Sequence, residues 1–232
     1  FGVENIAIGT DFYGTEHLPR EVNNYKKLSS NLSGALEKLG YTEKSLYKIP
    51  VSGYDEVEIA VFTPKTALVP SQFFSSEKAY SMLSDVVNLN DGESVGSVEL
   101  PEYGAVLLYS NNTGETLTRV VAETVLRSDG SKSRILPVTY YMLKSLAGLT
   151  EYNKIIAAYM DDVLYLAIAQ GGTLLLCNTF KAPDFTTAQY FIFLAMKKLQ
   201  LNPEMSTITF MTSLDEEEEM SLYNYFRSVD YI

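Results

Sequence analysis

The sequence predicts an α/β chain built as two lobes, and three observations carry that prediction. Residues 155–180 contain three short apolar runs separated by two-residue turn signals. An apolar helical stretch and one further strand-like run follow directly. The preceding part mixes strand-like runs with helical stretches, and no repeat or low-complexity linker interrupts it.

The elements follow in chain order. Residues 5–12 are strand-like. Residues 22–39 form an amphipathic helix with Tyr25, Leu28, Leu32, Ala35, Leu36 and Leu39 on one stripe, and Gly40 ends it. Strands are expected at 45–51 and 57–62, and the LVP at 68–70 closes another. Ser75 or Ser76 caps a helix reaching Val87, and 88–96 (NLNDGESVG) is a polar loop. Strands at 97–100 and 105–110, a helix at 115–127, a strand at 134–136 and a helix at 139–146 complete the first lobe. The seam is expected at 147–152, which gives an N-terminal lobe of residues 1–149 and a C-terminal lobe of 150–232.

The second lobe opens with strands at 155–160 and 163–170. Gly171-Gly172 is a hairpin signal, since both glycines accept positive φ. A strand at 173–180 makes an antiparallel meander, with Cys177 on what reads as a central strand. Asp184, after Pro183, is an N-cap for a helix to Leu199 with Ala188, Phe191, Ala195 and Leu199 on one side. Residues 190–196 (YFIFLAM) are apolar almost all round, so this helix is expected to be deeply buried. Lys197 and Lys198 suit its C-terminal end, and Asn202-Pro203 closes it. A strand at 206–213 and a helix at 215–229 end the chain. The order β-β-β-α-β-α is that of a ribonuclease-H-like lobe, in which the returning strand lies parallel to the first across a right-handed crossover.

Composition narrows the function. Of 232 residues, 46% are hydrophobic and 20% charged, enough to fill a core. Net charge is −11 and the pI is about 4.6, so DNA, RNA and anionic membranes are not expected partners. No apolar run approaches the ~20 residues of a membrane-spanning helix. No basic, apolar leader opens the sequence, and a single cysteine fits a reducing compartment, so a cytoplasmic location is expected.

Three runs resemble a known family: FTPKTALVPSQFFSSEKAYSMLSDVVNLNDGESV, LPEYGAVLLYS and GGTLLLCNTFKAPDFTTAQYFIFLAMKKLQLNPE. Together they resemble the bacterial domain-of-unknown-function family 3822 over residues 56–212, most strongly at 171–204. The resemblance implies an actin-like ATPase fold, meaning two ribonuclease-H-like lobes with mixed sheets flanked by helices. It implies no known activity. It also implies that the first hairpin of the N-terminal lobe lies before Phe1 or is degenerate.

The candidate chemistry centres on YMDDV, residues 159–163. Adjacent carboxylates on a hairpin tip form the metal-binding turn of reverse transcriptases, but this chain is short and acidic and has no basic template channel. Aspartates also serve as plain turn residues. In actin-like ATPases the corresponding hairpin carries an Asp followed by glycines whose N–H groups cradle phosphate. Here Val163, Leu164 and Tyr165 follow Asp161 and Asp162 instead, and side chains there block close backbone approach. Asp11, in IGTDFYG, is the comparable residue of the first lobe, and Gly130-Ser131-Lys132-Ser133 lacks the upstream glycine of a P-loop.

His17 is the only histidine, so triads and multi-histidine metal sites have no material. Cys177 reads as a small buried hydrophobe. Glu216, Glu217, Glu218 and Glu219 suit the start of a helix, and Tyr223, Tyr225 and Tyr231 are candidates for an interface. The expected function is therefore a non-catalytic protein-interaction or scaffold protein, with a protein partner or self-association and no cofactor. The alternative is an actin-like ATPase that binds ATP with Mg²⁺ through Asp161, Asp162 and Asp11.

Overall fold

In the computed structural model, residues 6–9, 58–111 and 135–232 are described. The expected helices at 22–39 and 115–127, the strand at 45–51, Asp11 and His17 lie outside the described residues. By internal contacts the chain divides into two compact units. One is Phe1–Thr63 with Leu89–Ser94 and Ser110–Val138. The other is Pro64–Asn88, Val95–Tyr109 and Thr139–Ile232. The expected C-terminal lobe, 150–232, lies wholly within the second unit.

The first unit contains a three-stranded sheet of β1 (Ile6–Gly9), β2 (Glu58–Val61) and β6 (Ile135–Pro137). β1 pairs antiparallel with β2, and β2 pairs parallel with β6. The loop of this unit before residue 95 is fastened by Glu93. That carboxylate is buried and accepts from Asn90 Nδ2 at 2.6 Å and Ser110 Oγ at 2.9 Å. Asn111 N donates to Ser94 O at 2.8 Å, which extends the pairing N-terminally from the expected strand at 97–100.

The second unit holds two sheets. In the smaller one, β3 (Thr66–Pro70), β5 (Ala105–Ser110) and β4 (Val95–Leu100) lie in that order, with β5 central and mostly buried. Helix α1 (Ala79–Ser84) follows a short 3-10 turn and stops before the expected Val87. The Ser81 and Ser84 hydroxyls bond back to the carbonyls of Lys78 and Ser81, a local alternative that competes with helix propagation. Helix α2 (Val138–Gly148) is tied to the 3-10 turn that follows β4 (Pro101–Tyr103) by Tyr103, whose hydroxyl donates to Leu143 O at 2.9 Å, and by the Lys144–Glu102 ion pair.

The larger sheet runs β11-β10-β7-β8-β9. β7 (Asn153–Met160), β8 (Val163–Gln170) and β9 (Thr173–Lys181) form the expected antiparallel meander. β10 (Thr207–Phe210) returns parallel to β7 after helix α3 (Phe185–Lys198), as the ribonuclease-H-like order requires. Ile155, Ala157, Leu164 and Leu166 are buried on the face that packs against α3, and Ile156, Ala158 and Ala167 are buried on the other. Burial on both faces explains why β7 and β8 read as continuous apolar runs rather than alternating ones.

Five sequence readings change here. Helix α4 (Glu216–Tyr223) does not run to Val229; Ser228–Tyr231 is a fifth strand, β11, parallel to β10, with Val229 in the core. A strand there gives β10 a second ladder, and Ser228 Oγ lies 2.8 Å from Thr207 Oγ1 across it. Among the described residues β9 ends the strand order, so Cys177 is on an edge strand there and not a central one. The buried stripe of α3 is Phe185, Ala188, Ile192 and Met196; Phe191, Ala195 and Leu199 sit at its half-buried margins. Nor is α3 buried all round, because Tyr190 faces outward. At the β8–β9 turn only Gly171 takes positive φ, 57°. A register shift opposite Ile168 and Ala169 leaves Leu175 outside the pairing, and Thr179 N donates to the Asn178 side chain at 2.9 Å.

Candidate functional site

The site to test is the edge of the larger sheet where the parallel strands β7, β10 and β11 end. Ligands of open α/β sheets bind outside the carboxyl ends of the strands, where successive connections leave in different directions. Here that point lies between β7 and β10. β7 continues into the Asp161-Asp162 turn, and α3 and α4 both begin at the same edge.

The turn has only two residues, because the ladder continues to the pair Met160–Val163. Asp161 and Asp162 both take positive φ, 51° and 60°, and both are exposed. Two-residue hairpin loops of this kind demand left-handed backbone at both positions, and aspartate accepts it better than most side chains. Beyond the turn, Leu164 and Tyr165 are buried in the sheet. Asp162 O accepts from Ala182 N at 2.7 Å, and Ala182 O accepts from the Tyr159 hydroxyl at 3.0 Å, so the turn is tied to the entry of α3.

Past their paired residues, β7 and β10 stay bridged by the chain's own groups. Tyr159 N donates to the buried Thr212 hydroxyl at 2.9 Å, and Met211 N donates to Ala157 O at 2.9 Å. Both helix entrances are capped from within. Asp184 accepts from Thr187 N at 2.7 Å. Asp215 accepts from Glu218 N at 2.8 Å, while Glu218 accepts from Asp215 N at 2.9 Å, a reciprocal capping box. Glu216, Glu217 and Glu219 add charge to the same first turn.

The electrostatics follow from this crowd of carboxylates. Tyr159 is raised above the ordinary phenol value, first by burial and then by Asp162, Glu218 and Asp184. Tyr165 is raised by burial and by Asp161, and Tyr231 by burial and Glu219. The Tyr231 hydroxyl is buried, and a nearby carboxylate raises a phenol because it disfavours a second negative charge beside it.

A phosphate at either helix entrance would meet the Asp184 or Asp215 carboxylate, and the Thr187 and Glu218 N–H groups there already have acceptors. Among the described residues no three His, Cys, Asp or Glu side chains converge to hold a metal ion. The structure thus keeps Asp161 and Asp162 together on one turn, while Asp11 falls outside the described residues. Cys177 lies away from this edge, and burial pushes its thiol up to about 12. Sequence reasoning missed Thr212 and the crevice it closes; nothing in STITFMTS distinguishes that threonine from its neighbours. The Asp215-x-x-Glu218 box was detectable from spacing alone.

Among the described residues no helix is long and apolar enough to cross a membrane. The comparison with curated proteins gave no match. Among solved structures, a Bacteroides thetaiotaomicron protein with an actin-like ATPase fold and unknown function superposes with a TM-score of 0.61 at 19% identity. The match covers 87% of this chain and 76% of that one. It shows the fold, and at that identity nothing further. A PilM–PilN type IV pilus biogenesis complex matches at a TM-score of 0.36 and 12% identity, covering 72% of this chain and 65% of that one, too distant to carry an argument. The family model described as "Protein of unknown function (DUF3822)" matches residues 24–229, a longer span than the 56–212 read from sequence, and the chain belongs to that family.

Proposed function

We propose that this chain is a non-catalytic interaction or scaffold protein, in which an actin-like fold has lost the nucleotide edge to its own side chains. The observation that supports the reading is the Thr212–Tyr159 closure between β7 and β10, flanked by helix entrances already capped by Asp184 and Asp215. Fold likeness by itself says nothing of activity.

Titration with Mg-ATP tests it, read by thermal shift and equilibrium dialysis on the full chain. A ligand at 100 times its Kd stabilises by about 2.7 kcal/mol. For a chain of this size that is a rise of roughly 5–11 °C. The expected result is no saturable rise at millimolar Mg-ATP. A saturable rise would overturn the reading in favour of a nucleotide-binding actin-like protein, and its loss in Asp161→Ala or Asp162→Ala would assign the nucleotide to the turn.

A further inference from the structure

The outer surface of α3 and α4 carries an aromatic strip with a charge of opposite sign at each end. Tyr190, Met220 and Tyr225 are 60%, 60% and 54% exposed. Tyr190 and the half-buried Phe193 are three residues apart on α3, hence on one face. Phe193 meets Tyr225 edge-on with ring centroids 4.9 Å apart, and it stacks on Phe226 at 5.8 Å. Gln189 of α3 hydrogen-bonds Ser221 of α4, so the two helices are direct neighbours. Tyr190 on α3, Met220 on α4 and Tyr225 just past α4 stand in water around the Phe193–Tyr225 contact that joins α3 to the end of α4, and such a cluster marks an interaction surface rather than scattered exposure.

The ends of the strip identify the partner. α3 and α4 both start at the carboxyl edge of the parallel strands, so they run side by side in the same direction. Their shared N-terminal end carries Asp184, Asp215, Glu216 and Glu217, all exposed. The opposite end carries Lys197, Lys198 and Arg227, also exposed. Arg227 is placed there by its backbone N–H, which donates to Ser206 O at 3.1 Å. A two-fold axis through the aromatic middle, normal to the helices, lays each acidic end on the partner's basic end. A two-fold interface requires such self-complementarity, and a foreign partner would not. The net charge of −11 opposes self-association in general, but charges more than about 8 Å apart are largely screened at physiological salt.

We propose that a second copy of this chain docks on the α3–α4 surface, antiparallel and two-fold symmetric, with Tyr190, Phe193 and Tyr225 at its centre. The proposal names the partner for the interaction reading above and rests on it.

Sedimentation equilibrium of the full chain over a hundredfold concentration range tests it, with circular dichroism to check folding of each variant. The native chain is expected to dimerise. The double variant Lys197→Glu/Lys198→Glu and the double variant Glu216→Lys/Glu217→Lys are each expected to weaken dimerisation at least tenfold. An equimolar mixture of the two is expected to recover it in part, because the unaltered acidic end of one chain then faces the unaltered basic end of the other and the remaining pair of ends no longer repels. Tyr225→Ala is expected to weaken it independently of charge.

A native chain that stays monomeric throughout the range overturns the proposal. So does dimerisation that none of these variants moves, or a mixture that fails to recover while both variants remain folded. Any of these results leaves the non-catalytic reading standing if Mg-ATP still fails to bind, and Mg-ATP binding alone would sink that reading.

Discussion

Replacing the acidic turn separates its two possible roles, geometric and chemical. Asp161 and Asp162 both hold left-handed backbone, with φ of 51° and 60°. That conformation costs an ordinary L-residue roughly 1–2 kcal/mol. The substitution Asp161→Asn/Asp162→Gly keeps the geometry and removes both charges. Glycine at 162 relieves roughly 1 kcal/mol of strain. It also loses about 0.5–1 kcal/mol through the greater freedom of the unfolded chain. The net change is expected to lie within about 0.5 kcal/mol of the native chain by that arithmetic. Asp162→Val keeps a side chain of similar size but puts a branched Cβ in the same backbone, and is expected to lose about 1–2 kcal/mol. Urea unfolding of the three chains followed by circular dichroism measures this. If the Asn-Gly chain falls as far as the Val chain, the carboxylates carry interactions beyond turn geometry, and the plain-turn account is wrong.

Other consequences are simpler. Asp184→Ala and Asp215→Ala each remove a helix cap and are expected to cost about 1 kcal/mol, additive in the double variant if α3 and α4 respond independently, by urea midpoints at constant slope. Phe210→Ala empties a fully buried site packed on the Phe185 ring and is expected to cost about 3–5 kcal/mol, enough to lower the melting temperature by more than 6 °C. Burial moves the Cys177 thiol from its ordinary value near 9 to about 12, so native alkylation at pH 8 should be about 1,000-fold slower than in the urea-unfolded chain by thiolate fraction. The sign for stability follows: the folded state disfavours the thiolate, so this contribution is present below about 9 and is lost as pH rises toward about 12.

The meander, the Asp184 cap and the parallel return of β10 were all legible, because each leaves a local mark: apolar runs, turn residues, a cap before an apolar stretch. β11 was not, because SVDY follows an acidic helix and its only long-range signal is the partner strand it pairs with. Its alternation of Val229 inward and Asp230 outward is short enough to be absorbed into a helical reading. The position of Asp161 and Asp162 on a turn was legible from the apolar runs that flank them. The closure itself was hidden, since it needs Thr212 to meet a backbone N–H 53 residues away.

The rim strand β9 has a further consequence. Leu175 bulges out of register, the Asn178 amide occupies the Thr179 N–H, and the exposed Lys181 charges one end. A foreign backbone arriving there finds an uneven and partly occupied row of hydrogen-bonding groups. Deleting Leu175 and replacing Asn178 with valine would even out that row, and the protein would then be expected to add strands edge to edge more readily than the native chain.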